Sequence, residues 1–218
     1  MSSHHDHGDH ERGDPNMSPT DYWEQRYADS TRIWSGKVNA TLAAVAREFT
    51  PGDSIDLGCG EGGDVLWLAE QGWRAHGLDI SATAVGRARE EAAARGLENA
   101  SFTATDLSAW RPDPDSADLV TASFFQSNVE LDRIAILRTA ASALRSGGHL
   151  VVISHASPPP WAGKNGPQLL SARDDAAELN LPSDEWTIEE AGERSRPATG
   201  PDGQHAELID AVLVARRR

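Results

Sequence analysis

The chain has 218 residues, 39% of them hydrophobic, and its 34 acidic and 20 basic side chains give a net charge of −14. This length and apolar content predict one domain with a single core. A surface this acidic repels phosphate backbones and anionic lipid headgroups, so we expect no nucleic-acid partner and no membrane partner. No apolar run approaches the ~18 residues of a membrane span and no signal-peptide core is present, which favours a cytoplasmic location.

Residues 1–16 contain His4, His5, His7 and His10 among glycines and acidic residues. Such a segment has little apolar surface to bury, so we expect a disordered, His-rich tail. Its histidines could chelate a transition metal, but a solvated tail or a cloning remnant accounts for the same composition. We therefore predict no metal site.

An N-terminal arm, residues 17–40, follows the tail. Ser18 and Pro19 are a typical helix start, with Asp21 three residues after the capping hydroxyl. Two interpretations of the arm stay open, because its aromatic rings either pack it onto the domain or form a lid over a binding site. The rings are those of Tyr22, Trp23, Tyr27 and Trp34.

A glycine-rich loop after a short apolar strand is the most informative segment of the chain. Gly58, Gly60 and Gly63 lack a β-carbon, so the loop can turn sharply and its backbone can approach a ligand closely. Their spacing satisfies the dinucleotide fingerprint, and NAD, FAD and S-adenosylmethionine (SAM) are all compatible with it. Asp56, two residues before the first glycine, would repel a pyrophosphate but suits an ammonium group. The loop therefore favours a cofactor that carries an amino acid.

Strands and helices alternate after this loop. Asp79 lies at the end of a second strand, where a carboxylate can accept both hydroxyls of a ribose. Residues 101–107 predict a third strand that ends in another acid, and residues 117–125 predict a buried fourth strand. A helix over residues 131–144 and a glycine turn lead into a fifth strand over residues 145–153. This alternation predicts a parallel sheet covered by helices on both faces.

Five segments in this order resemble the class I SAM-dependent methyltransferases. They are Asp56-Leu57-Gly58-Cys59-Gly60-Glu61-Gly62, the strand-end Asp79, Thr105-Asp106-Leu107, Ala117-Asp118-Leu119-Val120 and Leu144-Arg145-Ser146-Gly147-Gly148. The resemblance implies an α/β, Rossmann-like fold, in which a seven-stranded, mostly parallel sheet has helices on both faces and a C-terminal antiparallel hairpin. It also implies S-adenosyl-L-methionine as the cofactor and assigns residues 41–218 to the methyltransferase domain.

The same resemblance implies roles for the residues at the strand ends. They are Asp56 and the backbone of Gly58 to Gly60 for the methionine portion, Asp79 for the ribose, Asp106 with the Leu107 amide for the adenine, and Ser123 beneath the sulfonium. Cys59 and Ile80 complete the implied cofactor-binding set. Cys59 is the only cysteine, and a helix N-terminus could activate it as a nucleophile. A small residue that fits a crowded glycine loop is the favoured interpretation.

The arm carries a second, shorter resemblance. Tyr22-Trp23-Glu24-Gln25-Arg26-Tyr27, followed by Trp34, is similar to the arm of tellurite-resistance and thiopurine methyltransferases. In those families the arm closes over the cofactor and a small substrate, which implies a lid here. The implied partner is a small-molecule methyl acceptor, such as a thiol, a selenium or tellurium oxyanion, or another small metabolite. The implied lid and substrate set is Tyr22, Trp23, Tyr27, Trp34 and Phe124.

His155 follows the fifth strand, at the edge where open α/β sheets bind ligands. It is a candidate catalytic base, and the alternative is a hydrogen-bonded histidine at a strand end. An acceptor that arrives as an anion needs no base, whereas a hydroxyl acceptor needs one. The soft nucleophiles implied by the arm favour the anionic case.

Three prolines make residues 157–163 a loop, because they remove consecutive amide donors. A short helix over residues 168–179 and strands over residues 186–191 and 207–214 complete the prediction. Two other functions stay open, since cofactor motifs alone do not establish turnover. One is a SAM-binding regulatory protein without catalysis, and the other is an NAD-linked oxidoreductase.

Overall fold

The computed structural model describes residues 17–161, 169–200 and 203–218 of the chain. The predicted His-rich tail lies outside the described residues, as does the start of the helix predicted over residues 168–179. Within the described ranges, no helix is long and apolar enough to cross a membrane. In the same ranges, no three histidine, cysteine or acidic side chains come close enough together to hold a metal ion.

A seven-stranded sheet organises the described part of the chain. Its strands are β1 (Asp53–Leu57), β2 (Arg74–Asp79), β3 (Ala100–Ala104), β4 (Ala117–Ser123), β5 (Leu144–His155), β6 (Trp186–Thr199) and β7 (His205–Arg217). Their order is β3-β2-β1-β4-β5-β7-β6. Neighbouring strands from β1 to β5 are parallel, and β7 is antiparallel to both β5 and β6. The predicted Rossmann-like sheet with its C-terminal antiparallel hairpin is confirmed.

Helices cover both faces of this sheet. They are α1 (Pro19–Ala28), α2 (Ala40–Ala46), α3 (Gly63–Glu70), α4 (Ala82–Arg95), α5 (Arg133–Ala141) and α6 (Ala172–Leu179). Successive side chains of a strand point to opposite faces. On β5, Leu150 and Val152 pack with α5 and α6, whereas Val151 and Ile153 pack with α2, α3 and α4. The prediction of two covered faces is therefore confirmed.

The C-terminal hairpin is longer than the sequence predicts. β6 continues to Thr199 and β7 begins at His205, beyond the predicted ranges 186–191 and 207–214. β6 is an edge strand, and its second half alternates half-buried and exposed side chains. The two strands stay paired through their backbones up to the pair Thr199 and His205. A hydrophobicity pattern does not reveal pairing of this kind.

The predicted glycine turn before the fifth strand is built into β5 as a bulge. Leu144 pairs with Ala117, and the next pair along β5 joins His149 to Leu119. Residues 145–148 therefore lie opposite a single residue of β4. The residues of the predicted glycine turn therefore form this bulge, and β5 continues beyond it to the site at its carboxyl end.

The sheet brings several strand ends to one edge. β1 lies between β2 and β4, so the chain winds in opposite directions on the two sides of β1. Ligands of open α/β sheets bind in the crevice that forms at such a point, outside the carboxyl ends of the strands. The glycine loop after β1 and the residues after β2 and β4 all lie at this edge.

A buried ion pair ties the helices on one face to the end of β5. The guanidinium of Arg133, on α5, donates to both carboxylate oxygens of Asp175, on α6, at 2.6 and 2.8 Å. It also donates to the Ser154 hydroxyl at 3.3 Å. Both ionic side chains are largely buried. Loss of one partner would leave the other charge desolvated and unpaired.

We expect the Asp175→Ala variant to lose about 3–5 kcal/mol of unfolding free energy, because the Arg133 charge stays buried without its carboxylate. Urea unfolding followed by circular dichroism measures this loss. Glu91→Ala is the matched control, since it removes a solvent-exposed ion pair with Arg95 and should cost less than about 1 kcal/mol. Equal losses in the two variants would contradict the structural role of the buried pair.

Candidate active site

The glycine loop after β1 lies beneath aromatic rings. Gly58 and Gly60 have φ angles of +66° and +51°, which L side chains rarely adopt. A β-carbon on Gly58 would lie 2.7 Å from the ring of Phe125, and one on Gly60 would lie 2.9 Å from the Tyr27 hydroxyl. Both the backbone angle and the close contacts thus require glycine at these positions.

Two buried carboxylates flank the loop. Asp56, on β1, is 4% exposed and accepts a hydrogen bond from the Thr121 hydroxyl at 2.6 Å. Asp79, at the end of β2, is 6% exposed and accepts the Gly60 amide at 2.7 Å and the Ser81 amide at 2.9 Å. Each carboxylate oxygen can accept more than one hydrogen bond. Asp79 therefore retains capacity for the hydroxyls of a ribose.

These acids make the loop a site for a cation. Burial raises the pKa of Asp56 well above its usual value, and the nearby charges of Asp64 and Asp79 raise it further. Burial also raises the pKa values of Asp64 and Asp79, although hydrogen bonds oppose the shift. A positively charged ligand would relieve this repulsion, whereas a pyrophosphate would increase it. These acceptor carboxylates suit the ammonium and sulfonium groups of SAM better than a dinucleotide.

The remaining predicted cofactor residues lie at neighbouring strand ends. Ile80 follows Asp79 and is half-buried. Asp106 is exposed after β3 and accepts the Ser108 amide at 2.8 Å, while the Leu107 side chain is buried in the core. Ser123 ends β4, and its hydroxyl lies close enough to the Asp64 carboxylate to lower the pKa of Asp64.

Cys59 packs rather than reacts. Its sulfur would lie only 2.7 Å from a β-carbon on Gly77, so it fills the space that this glycine of β2 leaves. Burial raises the pKa of the Cys59 thiol well above its usual value, and the charges of Asp79 and Asp56 add to the shift. The thiol stays protonated at neutral pH, which argues against a nucleophilic role.

The glycine loop itself holds the arm. The buried carboxylate of Glu61 accepts the backbone amides of Ile33 and Trp34 at 3.1 and 3.0 Å. Its other oxygen pairs with Arg87, on α4, at 2.9 Å. Arg87 also donates to the backbone carbonyl of Tyr27 at 2.9 Å. The sequence prediction missed both Glu61 and Arg87, although Glu61 stands inside the glycine motif.

The first helix of the arm bridges two parts of the sheet edge. The Trp23 indole donates to the Ser127 hydroxyl at 3.2 Å, beyond β4. The Glu24 carboxylate accepts the amide of Thr83 at 3.2 Å, at the start of α4. The Tyr22 hydroxyl accepts from the Asn128 side chain at 3.4 Å.

The aromatic contacts of the arm are also directed at the loop. Tyr27 is the only buried residue of α1, and its hydroxyl accepts from the Trp34 indole at 3.0 Å. Trp34 is 49% exposed, although its ring would lie 3.2 Å from a β-carbon on Gly60. The arm is therefore attached to the site by polar contacts at its periphery more than by a core of its own.

The two phenylalanines that follow β4 contact different parts of the site. Phe125, which the sequence prediction did not single out, lies on Gly58 of the cofactor loop. Phe124 stacks on His155 with ring centroids 4.2 Å apart, and it has a φ angle of +52°. A backbone strained in this way at a strand end is often part of a functional site.

His155 ends β5 at the same edge and is suited to accept a proton. Burial lowers the pKa of His155, against the opposing effect of the Asp210 carboxylate. The ring is therefore neutral at pH 7, the state that a catalytic base requires.

Comparison with known proteins agrees with this geometry. The family described as a methyltransferase domain matches residues 55–148. Over 57 residues the chain is 49% identical to 2-heptyl-1-hydroxyquinolin-4(1H)-one methyltransferase of Mycobacteroides abscessus, a match that covers 26% of this chain and 25% of the relative. Over 48 residues it is 48% identical to the ribosomal RNA small subunit methyltransferase C of Alcanivorax borkumensis, covering 22% of this chain and 15% of the relative. The matches thus span a quarter or less of the length of these curated relatives.

Two solved structures share the fold over most of the chain. One comes from work on the conversion of a disulfide bond into a thioacetal group during echinomycin biosynthesis. It has 26% sequence identity and a TM-score of 0.72, with 91% of this chain and 92% of that chain covered. TehB from Haemophilus influenzae has 18% identity and a TM-score of 0.65, with 91% and 67% covered. Residues 55–148 thus match a methyltransferase domain, and together with the glycine loop and the strand-end carboxylates these matches support a class I SAM-dependent methyltransferase, a family whose cofactor is S-adenosylmethionine.

Proposed function

We propose that this protein transfers a methyl group from SAM to a small-molecule acceptor. The observation that carries the proposal is the pair of buried carboxylates, Asp56 and Asp79, on either side of the glycine loop. Together the two carboxylates can accept hydrogen bonds from the ammonium group and the ribose hydroxyls of a cationic amino-acid nucleoside. Neither an NAD-linked oxidoreductase nor a purely regulatory SAM-binding protein is favoured by the family match.

The cofactor would be held along the sheet edge by the residues that the sequence predicts. In this proposal Asp56 and the loop amides take the methionine portion and Asp79 takes the ribose. Asp106 and the Leu107 amide take the adenine, and the hydroxyl of Ser123 lies near the sulfur. Bound SAM supplies a methyl group that is already activated by the sulfonium.

The protein then has to align the acceptor with the methyl group and to exclude water from the site. The acceptor must stand behind the methyl carbon with its lone pair in line, and such positioning can supply on the order of 7–11 kcal/mol of the barrier. The arm is placed for this task, because Trp34 and Tyr27 contact the glycine loop. We infer that residues 17–40 act as a lid over cofactor and acceptor.

A soft, sulfur-type nucleophile is the acceptor that these observations support best. The arm is similar to that of thiopurine and tellurite-resistance enzymes, and the solved structure of 26% identity comes from work on a disulfide substrate. The hydroxyquinolone methyltransferase is also named for a small molecule. The ribosomal RNA relative shares only a short segment, and the net charge of −14 disfavours RNA. Cytoplasmic location is part of the same proposal.

Screening the purified protein for S-adenosylhomocysteine production tests the proposal directly. We expect turnover with at least one of a panel of thiols, selenite, tellurite, halides, catechols, N-hydroxy heterocycles and amines. A ribosomal RNA fragment is the contrasting acceptor and should give none. Absence of turnover together with tight SAM binding would instead indicate a regulatory binder.

Asp79→Asn should weaken SAM binding by at least about tenfold, because the amide loses the charge that strengthens hydrogen bonds to the ribose hydroxyls. Isothermal titration calorimetry measures the affinity. Asp113→Asn, an exposed acid at the opposite edge of the sheet, is the matched control and should bind as the wild type does. Unchanged affinity in Asp79→Asn, or no SAM binding by the wild type, would refute the assignment.

Trp34→Ala should lower turnover by about tenfold or more, since the lid loses the ring that contacts the glycine loop. The unfolding free energy should fall by less than about 1 kcal/mol, because Trp34 is half exposed. Ile188→Ala, a 43% exposed apolar residue of β6, is the control and should change neither quantity. A large loss of stability with proportionate loss of activity would show that the arm is structural packing.

A further inference from the structure

Asp210, on β7, is a buried carboxylate that the sequence prediction did not single out. It is 0% exposed. Its Oδ2 atom accepts the Thr41 hydroxyl at 2.7 Å and the Nε–H of Arg196 at 2.6 Å. Its Oδ1 atom has no hydrogen-bond partner within the described residues. One half of this carboxylate is thus fixed in place and the other half is open to a donor.

The side chain that faces the open oxygen is His155. The two residues are paired directly across the antiparallel strands β5 and β7. The Nδ1 atom of His155 is buried and has no partner in the described part of the chain, and it lies 3.9 Å from Asp210 Oδ1. Hydrogen bonds of this kind form at about 2.7–3.2 Å, so a ring movement of about 1 Å completes the pair.

The side chains around His155 hold its imidazole in an orientation that suits a general base. The Phe124 ring stacks on it, and the Arg196 guanidinium, which fixes Asp210, also lies 5.6 Å from the centre of that phenyl ring. A carboxylate that accepts from Nδ1 keeps the proton on that nitrogen. The lone pair of Nε2 is then the one that can accept the proton of the methyl acceptor.

We propose that Asp210 is a positioning residue that orients His155 as the general base, and that the methyl acceptor therefore reaches the site with its proton. This inference rests on the proposed methyltransferase function and narrows its acceptor class. Thiols, selenols and acidic hydroxyl groups fit it, whereas tellurite, selenite and halide ions do not need it. The inference thus favours an acceptor that must lose a proton, whereas the resemblance of the arm favoured an acceptor that arrives as an anion.

The transfer balances without any further reactant. The acceptor proton moves to His155 Nε2, and the acceptor lone pair forms a bond to the methyl carbon. The bond between that carbon and the sulfur breaks with its electron pair on sulfur. The products are the methylated acceptor, S-adenosylhomocysteine and a protonated histidine, which returns its proton to solvent.

The charges around His155 define the expected pH dependence. Asp210 on β7 raises the pKa of His155, while burial and Arg196 on β6 lower it. The remaining neighbours named above, Thr41 and Phe124, are uncharged. The rate should rise with pH as the imidazole loses its proton, and Asp210→Asn should move that rise to lower pH.

The first test reads the tautomer of His155 rather than activity. Nitrogen chemical shifts of ¹⁵N-histidine-labelled full-length protein, assigned by comparison with His155→Gln, should show a neutral ring with its proton on Nδ1. Asp210→Asn should reduce that preference. Because this comparison needs no Asp210 variant, the test stands even if Asp210→Asn does not fold. A neutral ring with its proton on Nε2 would overturn the pairing.

The second test reads single-turnover rates with a thiol acceptor at saturating SAM. We expect a loss of about 10²–10⁴-fold in His155→Gln and a smaller loss, of at least about tenfold, in Asp210→Asn. SAM affinity should be unchanged in both. Matched controls are His149→Gln and Glu189→Gln, which alter a second histidine and carboxylate pair, 3.3 Å apart on β5 and β6, and should leave the rate unchanged.

Three outcomes would overturn the inference. The first is wild-type turnover restricted to tellurite, selenite or halide ions, and the second is thiol turnover that His155→Gln leaves within about threefold of wild type. The third is a loss in Asp210→Asn with an unmoved pH profile. Failure of the proposed function is distinguishable, because it appears as no turnover with any acceptor while the tautomer still reports on the pair.

Discussion

The concentration of buried negative charge beside the glycine loop is the constraint on which the rest of the site depends. Burial raises the pKa of Asp56, Asp64 and Asp79, and the charges of Asp64 and Asp79 raise the pKa of Asp56 further. A threonine hydroxyl and backbone amides keep their oxygens paired. A cationic ligand removes the repulsion that these local bonds leave. The fold thus gives up stability at this edge and gains affinity for one kind of cofactor.

The N-terminal arm is anchored to the same glycine loop, so the positions of the loop and the arm are not independent of each other. Glu61 belongs to the glycine motif and also accepts backbone amides of the arm. Any ligand that fixes the loop therefore also fixes the anchor of the arm, and disorder in the arm would loosen the loop. In the proposed function, binding of the cofactor and placement of the arm over the acceptor would be linked through the buried side chain of Glu61.

Short sequence motifs predicted those features of the structure that depend only on neighbouring residues. The glycine loop, the acids at the ends of β2 and β3, and the helix start at Ser18 follow from short motifs, and the structure contains each of them. The sequence did not identify Asp210, because its importance comes from its position opposite His155 across two strands 55 residues apart in the chain. Phe125 was missed for a similar reason, since only the folded loop brings its ring onto Gly58. The length of β6 depends on backbone pairing at an edge rather than on side-chain pattern.

The irregularity in β6 has a consequence for how the hairpin tolerates change in length. Pairing with β7 shifts between Ile188 and Glu190, so one residue of β6 lies outside the regular alternation. Before the shift Trp186 faces the core, and after it Arg196 reaches Asp210. Deletion of that extra residue would reverse the facing of one segment or the other, because side chains alternate along a strand. The chain would then have to expose a tryptophan or withdraw the guanidinium from its carboxylate, whereas additions at the hairpin turn would force neither.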